Sequence, residues 1–485
     1  MADFSFFWHD YETFGRVPRH DRPAQFAGVR TDADLQEIEA PVMHHCQPAP
    51  DTLPDPESCL LTGITPPQCL ERGLPEHAFA AQIEAQLARP GTVGVGYNSI
   101  RFDDEVTRFL FWRNLIEPYG REWQNGCGRW DLLDVVRCCH ALRPGGIEWP
   151  RHEDGRTAFK LELLTAANGL AHEAAHDALS DVRATLGLAR LIKAQQPRLW
   201  DFCLKLRSKQ AVIDELAAAE RAGRPFLHVS GMYGAERGCL AQVWPLAPHP
   251  TNKNEVIVWD LAQDPAELFE LDAATVRQRL YTRAADLPEG VTRLPIKTLH
   301  INKSPVVIAN LKTLDADRAA LWGIDFEQGA RHAQLLAERG GALAGLWPEV
   351  FRRPPPAPGE AAVDIDEDLY GGFLGNEDRR ILERLRRLAP EALATQRPAF
   401  ADPRLDELLF RYRARNFPGT LTEPELQRWE DHRVHRLHEG AGGCTTVEAF
   451  MAQIDTLAES ADERGEAILA SLVDYATDIA PDRDA

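Results

Sequence analysis

Apolar residues follow two spacings over the first 190 or so positions. The runs Phe4–Trp8 and Thr92–Tyr97 predict strands, whereas Glu105–Leu115, Asp131–Leu142 and Ala178–Lys193 carry apolar positions three and four apart and predict helices. Alternation of the two kinds predicts an α/β region, a mixed sheet flanked by helices, ending near Gln196. From Pro197 to Arg353 the pattern changes. An amphipathic helical stretch comes first, followed by strand-like runs at Phe226–Val229, Cys239–Val243, Glu255–Leu261 and Lys297–Ile301. Gly234, Gly238, Pro245, Pro248 and Pro250 read as turns between them, which suggests a small β-rich domain, a barrel. The run Arg352-Arg353-Pro354-Pro355-Pro356-Ala357-Pro358-Gly359 is a linker, because clustered proline continues neither a helix nor a central strand. Beyond it, Asp378–Leu388, Pro403–Tyr412, Glu423–His438 and Thr446–Ile479 have helical periodicity. The expected division is therefore 1–196, 197–353 and 354–485.

Length and composition agree with several domains. A chain of 485 residues exceeds one ordinary domain, and 44% hydrophobic with 26% charged residues is the balance of a globular protein with sizeable cores. The opening MADFSFFWHDYET lacks a basic segment followed by a clean apolar stretch, so it does not read as a signal peptide. No run approaches the roughly 18 apolar residues of a membrane helix. A cytoplasmic protein is expected, with no membrane association. Nine cysteines without a C-x-x-C pair fit reduced, buried thiols. His44, His45 and Cys46 lack a second ligand pair at structural-zinc spacing, so zinc is not expected there. The formal net charge of -20 argues against nucleic-acid attraction by the molecule as a whole. Any such binding requires positive charge gathered locally.

Candidate chemistry begins at His9-Asp10-Tyr11-Glu12-Thr13, which closes the first apolar run. Residues i and i+2 of a strand share a face, so Asp10 and Glu12 would aim two carboxylates together. Paired carboxylates repel unless a cation neutralises them, and hard ions such as magnesium or manganese favour oxygen ligands. By itself D-x-E is more simply a solvated strand end. A second acid group, Asp103-Asp104-Glu105, stands where a helix starts after the second strand. Asp103 or Asp104 would serve there either as an N-cap or as a ligand. The third piece is His176-Asp177-Ala178-Leu179-Ser180-Asp181. Five residues turn a helix well away from one shared face, so His176 belongs on the approach, Asp177 at the N-cap and Asp181 facing inward.

In combination the order D-x-E, then D, then H-x4-D resembles the DEDD exonuclease superfamily in its histidine-containing branch. The likeness extends to the bacterial exonuclease I family. It is carried by His9-Asp10-Tyr11-Glu12-Thr13-Phe14-Gly15, Arg101-Phe102-Asp103-Asp104-Glu105-Val106-Thr107-Arg108 and Arg129-Trp130-Asp131-Leu132-Leu133-Asp134-Val135. It continues in His300-Ile301-Asn302-Lys303 and Tyr412-Arg413-Ala414-Arg415-Asn416-Phe417-Pro418-Gly419-Thr420. The resemblance implies a ribonuclease H-like catalytic domain, an SH3-like β-barrel and an α-helical domain. It implies 3'→5' hydrolysis of single-stranded DNA to 5'-mononucleotides in DNA repair and recombination. It also implies metal ligands at Asp10, Glu12, Asp103 (rather than Asp104) and Asp181, with His176 as general base and two Mg2+ ions that Mn2+ would replace.

Contacts with the DNA strand are expected from Arg108 and from Arg411, Tyr412, Arg413 and Arg415, where basic and aromatic residues interleave. An amphipathic helix whose arginines form ion pairs is the competing account of that run. The family's partner is single-stranded DNA-binding protein, through its acidic C-terminal tail, and Arg143 in Leu142-Arg143-Pro144 matches a position suited to it. The expected state is a monomer. An exonuclease acting on RNA or on a primer terminus, and a catalytically silent single-strand-binding scaffold, are the alternative functions.

Overall fold

The computed structural model describes residues 4–171, 177–353 and 363–482. The chain forms two compact units, neither continuous in sequence. The first comprises residues 1–128, 172–183 and 361–485, and the second residues 129–171 and 184–360.

In the first unit, β1 (Ser5–Thr13) lies between β2 (Pro23–Thr31) and β4 (Thr92–Gly96), and β3 (Val42–His45) lies beyond β2. The sheet is mixed: β1 runs antiparallel to β2 and parallel to β4, and β2 runs antiparallel to β3. The expected first strand stopped at Trp8. It continues to Thr13 because β2 pairs with it along the whole length, so Asp10 and Glu12 lie within the strand. β2 is buried at every position and β4 likewise, as central strands are. Phe7, Tyr11, Phe26, Phe79, Ile83, Leu110 and Phe111 make one core of this unit.

The C-terminal helices belong to the same unit and supply half of two further cores. Phe450, Ile454, Leu469 and Leu472 pack with Phe14, Cys59 and Cys69, while Leu382, Leu385, Leu405 and Leu408 pack with Phe109, Trp112 and Leu115. The predicted helix Thr446–Ile479 is two helices, Val447–Ala458 and Glu463–Ile479. The second starts afresh because the Asp462 side chain accepts the Gly465 N–H at 2.8 Å, a cap that ends any continuation from before it.

The second unit starts in β5 (Gly128–Asp131), whose Asp131 side chain caps the helix Leu132–Leu142. Its five-stranded sheet has the order β10-β6-β7-β8-β9 and is antiparallel throughout. These strands are β6 (Phe226–Val229), β7 (Leu240–Pro248), β8 (Glu255–Asp260), β9 (Ile296–His300) and β10 (Val306–Ile308). β7 runs through Pro245 and Pro248, two of the expected turn positions. The register shifts between Pro245 and Ala247, a bulge that accommodates a residue with no N–H to donate. Among the described residues no helix is long and apolar enough to cross a membrane. All nine cysteines are free and buried.

Candidate active site

The site forms at the end of β1, where the strand outruns one neighbour. Parallel pairing with β4 ends at Trp8↔Val95. After β4 the backbone turns sharply past His9. A Cβ on Gly96 would stand 2.9 Å from the His9 carbonyl oxygen and 2.7 Å from the Ser99 Cβ, so only glycine fits that close approach. Asn98 then takes a left-handed conformation, φ 62°, and the helix Asp103–Arg113 begins five residues later. The Tyr11 N–H lies beyond the last parallel pair. It donates to Asp103 Oδ1 at 3.1 Å, and the Tyr11 hydroxyl lies 3.0 Å from Thr107 Oγ1. The carboxylate of Asp103 thus takes the place that a strand would have filled beside β1.

Asp10, Glu12 and Asp181 offer carboxylate oxygens that lie within 4.8 Å of one another. Asp181 stands in the first turn of the helix Ala178–Gln195. Asp177 caps that turn, its Oδ2 accepting the Ser180 N–H at 3.2 Å. His176 lies outside the described residues. Burial, then the charges of Asp103, Glu12, Asp181 and Asp177, holds the Asp10 carboxyl well above the usual carboxylate range. Burial, Asp181 and Asp177 push Glu12 up to about 8. Acids crowded like this hold their protons until a cation arrives. Asp104, the neighbour of Asp103, is instead paired with Arg121 at 2.5 Å, and both side chains are buried. His9 stacks on Phe7 and Phe26, and burial lowers it to about 4, so the ring is neutral near pH 7.

A pH dependence follows from these shifts. Protons sit on Glu12 and Asp10 near neutrality and must leave before divalent cations bind. Cation affinity is therefore expected to rise as pH increases from 6 to 9, with proton release greatest below about 8. Calorimetric titration with Mg2+ in buffers of different ionisation enthalpy measures that release. Affinity independent of pH across this range would contradict the shifts.

Arg108 is buried and bonds Glu105 at 2.6 Å, Glu122 at 2.7 Å and the Tyr370 hydroxyl at 3.1 Å. Arg411 bonds Glu407 and Asp364, Arg413 bonds Glu425 and the Thr420 carbonyl, and Arg415 bonds Asp51 and Asp366. Tyr412 is buried in the core formed with Phe109 and Trp112. The arginines of the interleaved run therefore pair with carboxylates of their own unit. In the second unit, Arg143 is exposed and donates to the Thr313 carbonyl at 3.0 Å. It lines a cavity of about 470 Å³ together with Leu142, Pro197, Leu199, Phe202 and Ile308. Sequence reasoning missed Gln25, whose one signal was an amide within the apolar start of β2.

Three family descriptions match this chain: "Exonuclease" over residues 7–189, "Exonuclease I SH3-like domain" over 207–353 and "Exonuclease I C-terminal domain" over 363–479. Exodeoxyribonuclease I of Escherichia coli is 45% identical over 429 residues, 88% of this chain and 89% of that one. The Haemophilus influenzae exodeoxyribonuclease I is 44% identical over 473 residues, 96% of each. Among solved structures, exonuclease I from Methylocaldum szegediense has a TM-score of 0.92 at 48% identity, covering 98% of this chain and 99% of that one. The E. coli enzyme in complex with a dA16 oligonucleotide has a TM-score of 0.91 at 42% identity, covering 98% and 100%. Two more E. coli structures, a zinc-bound single-stranded-DNA complex and a complex with SSB-Ct, have TM-scores of 0.91 and 0.90, each at 41% identity and covering 99% and 100%.

Proposed function

The chain belongs to the exonuclease I family, and from that premise we propose that it removes 5'-mononucleotides from the 3' end of single-stranded DNA, in repair and recombination. The observation that carries the reading is the convergence of Asp10, Glu12 and Asp181 beside Asp103 at the open end of β1. The E. coli relatives bound to oligonucleotides support the choice of substrate.

Asp10, Glu12, Asp103 and Asp181 are the residues that hold two Mg2+ ions, with Mn2+ a substitute. Crowded carboxylates with raised proton affinity suit that task, and a zinc-bound relative supports a divalent cation as the cofactor. Bound there, divalent cations supply a water nucleophile near neutral pH and neutralise charge on the scissile phosphate and the departing 3'-oxygen. β1 and the Asp103–Arg113 helix fix three of the four carboxylates from two directions, and the first turn of the Ala178–Gln195 helix brings the fourth. His176 takes the proton of the attacking water, a task suited to histidine because an unperturbed imidazole titrates at about 6.5.

The spans of the three family descriptions support a division into 1–196, 197–353 and 354–485. The cavity beside Arg143 joins an apolar lining to an exposed guanidinium, which fits the acidic C-terminal tail of single-stranded DNA-binding protein, and the relative bound to SSB-Ct supports that partner. Nine reduced thiols support a cytoplasmic location.

Substrate class is tested with 5'-labelled DNA and RNA of one sequence, beside duplex DNA, in Mg2+. Shortening of the single-stranded DNA alone is expected. Shortening of RNA in its place would overturn the substrate, and tight DNA binding without cleavage would favour a scaffold.

A further inference from the structure

β2 is buried from end to end, yet it carries an amide at Gln25, 4% exposed. Gln25 is the antiparallel partner of Glu12, and cross-strand partners point to the same face of a sheet. The amide therefore stands beside the carboxylate cluster. It reaches from there to the helix that brings Asp181. Gln25 Oε1 accepts the Ala178 N–H at 3.0 Å, and Nε2 donates to Asp177 Oδ1 at 3.4 Å. Nε2 also faces His45 Nε2 at 3.4 Å and Met43 Sδ at 3.5 Å, so acceptors surround the nitrogen while the oxygen meets the N–H. Ala178 is the first residue of its helix, where an N–H has no intrahelical partner. The same turn closes on Asp181, whose N–H donates to the Asp177 carbonyl at 3.0 Å.

We propose that Gln25 is a positioning residue for the metal cluster. Its amide ties the first turn of the Ala178–Gln195 helix to β2, and so sets the separation of Asp181 from Asp10 and Glu12. The physical need is plain. Carboxylates that repel one another drift apart unless their supports are tied, and oxygen ligands bind a small cation well only at a fixed spacing. Glu12 and Asp181 arrive on separate elements, a strand and a helix, and Gln25, paired with Glu12 across β1 and β2, bonds from β2 to the helix. This role rests on the reading of the cluster given above.

The test is Gln25→Met, which keeps length and burial and removes both hydrogen bonds. The Mg2+ concentration for half-maximal turnover is expected to rise about tenfold, with KM for single-stranded DNA little changed. Mn2+ binding measured by calorimetry without DNA is expected to weaken by a similar factor. Ala178→Pro provides a second route: proline is accommodated at a first helical position and lacks the N–H that Gln25 receives. It should shift the metal requirement as Gln25→Met does, and the double variant should shift it no further. Melting curves establish which variants fold, and if Gln25→Met does not, Ala178→Pro decides. Metal affinity within about twofold of the parent in a folded variant would overturn the role of Gln25. A parent protein that neither binds Mn2+ nor cleaves DNA would instead defeat the reading of the cluster itself.

Discussion

Asp10→Asn is expected to lower turnover of single-stranded DNA by about three orders of magnitude or more, while the metal-free protein becomes more stable rather than less. Asparagine preserves the size of the side chain and removes one of the acids that must ionise next to Glu12, Asp103 and Asp181. In the metal-free protein that ionisation is a liability as pH rises. A carboxyl whose folded-state pKa is raised contributes stability below its unfolded value and loses it as pH rises through the folded value. For Glu12 the window runs from about 4.5 to about 8, and Asp10 shifts in the same direction. In EDTA the parent should therefore lose stability across that window more steeply than Asp10→Asn does. With Mg2+ the order reverses, because only the parent has the full set of ligands. Single-turnover rates and melting curves with and without chelator measure both effects. Turnover within about tenfold of the parent would remove Asp10 from the catalytic set.

Arg415→Ala is expected to destabilise the first unit by about 3–5 kcal/mol, because it leaves buried carboxylates without their principal counter-charge. The Arg415 guanidinium bonds Asp51 Oδ2 at 2.7 Å and Asp366 Oδ1 at 3.0 Å, and these side chains are 2%, 0% and 3% exposed. Burial alone would raise both acids. Arg415, His432 and Arg436 outweigh it at Asp51, and Arg415, Arg22 and Arg411 at Asp366, so both are held well below the ordinary range. Their contribution is present above the unfolded value of 3.8 and is lost as pH falls through the folded values. Arg415→Lys should recover only part of the loss, since an ammonium cannot bond two carboxylates in the plane that a guanidinium does. Chemical denaturation at pH 7 and pH 4 gives the comparison. A loss below about 1 kcal/mol at pH 7 would mean that the remaining arginines suffice.

These arginines mark where the sequence stopped being legible. Tyr412-Arg413-Ala414-Arg415 alternates charge and aromatic character, which suits a nucleic-acid groove and an ion-paired helix equally. Asp51 lies 364 residues from Arg415, and only the tertiary fold brings them together. Local pattern did better where one element supplies its own evidence. Leu132–Leu142 and Phe226–Val229 stand within a residue of their expected spans, because periodicity and caps are local. β2 went unread: a strand buried on both faces need not alternate, and Gln25 and Arg30 interrupt its apolar run. β10, three residues long, is too short to show a period. Asp10 and Glu12 were legible as a pair from strand geometry. The choice of Asp103 over Asp104 came from family resemblance, and the structure adds a physical contrast between them: Asp104 is paired with Arg121, while Asp103 bonds the backbone of β1.

On the proposed function, a carboxylate cluster at the end of β1 drives metal-dependent removal of nucleotides from a 3' end. The most direct test follows a 5'-labelled single strand in Mg2+ and in EDTA, with products separated by length. A ladder that shortens while keeping its label, yields 5'-mononucleotides and stops in EDTA is the predicted result. Immediate release of the label as a mononucleotide, or digestion undiminished by EDTA, would contradict it.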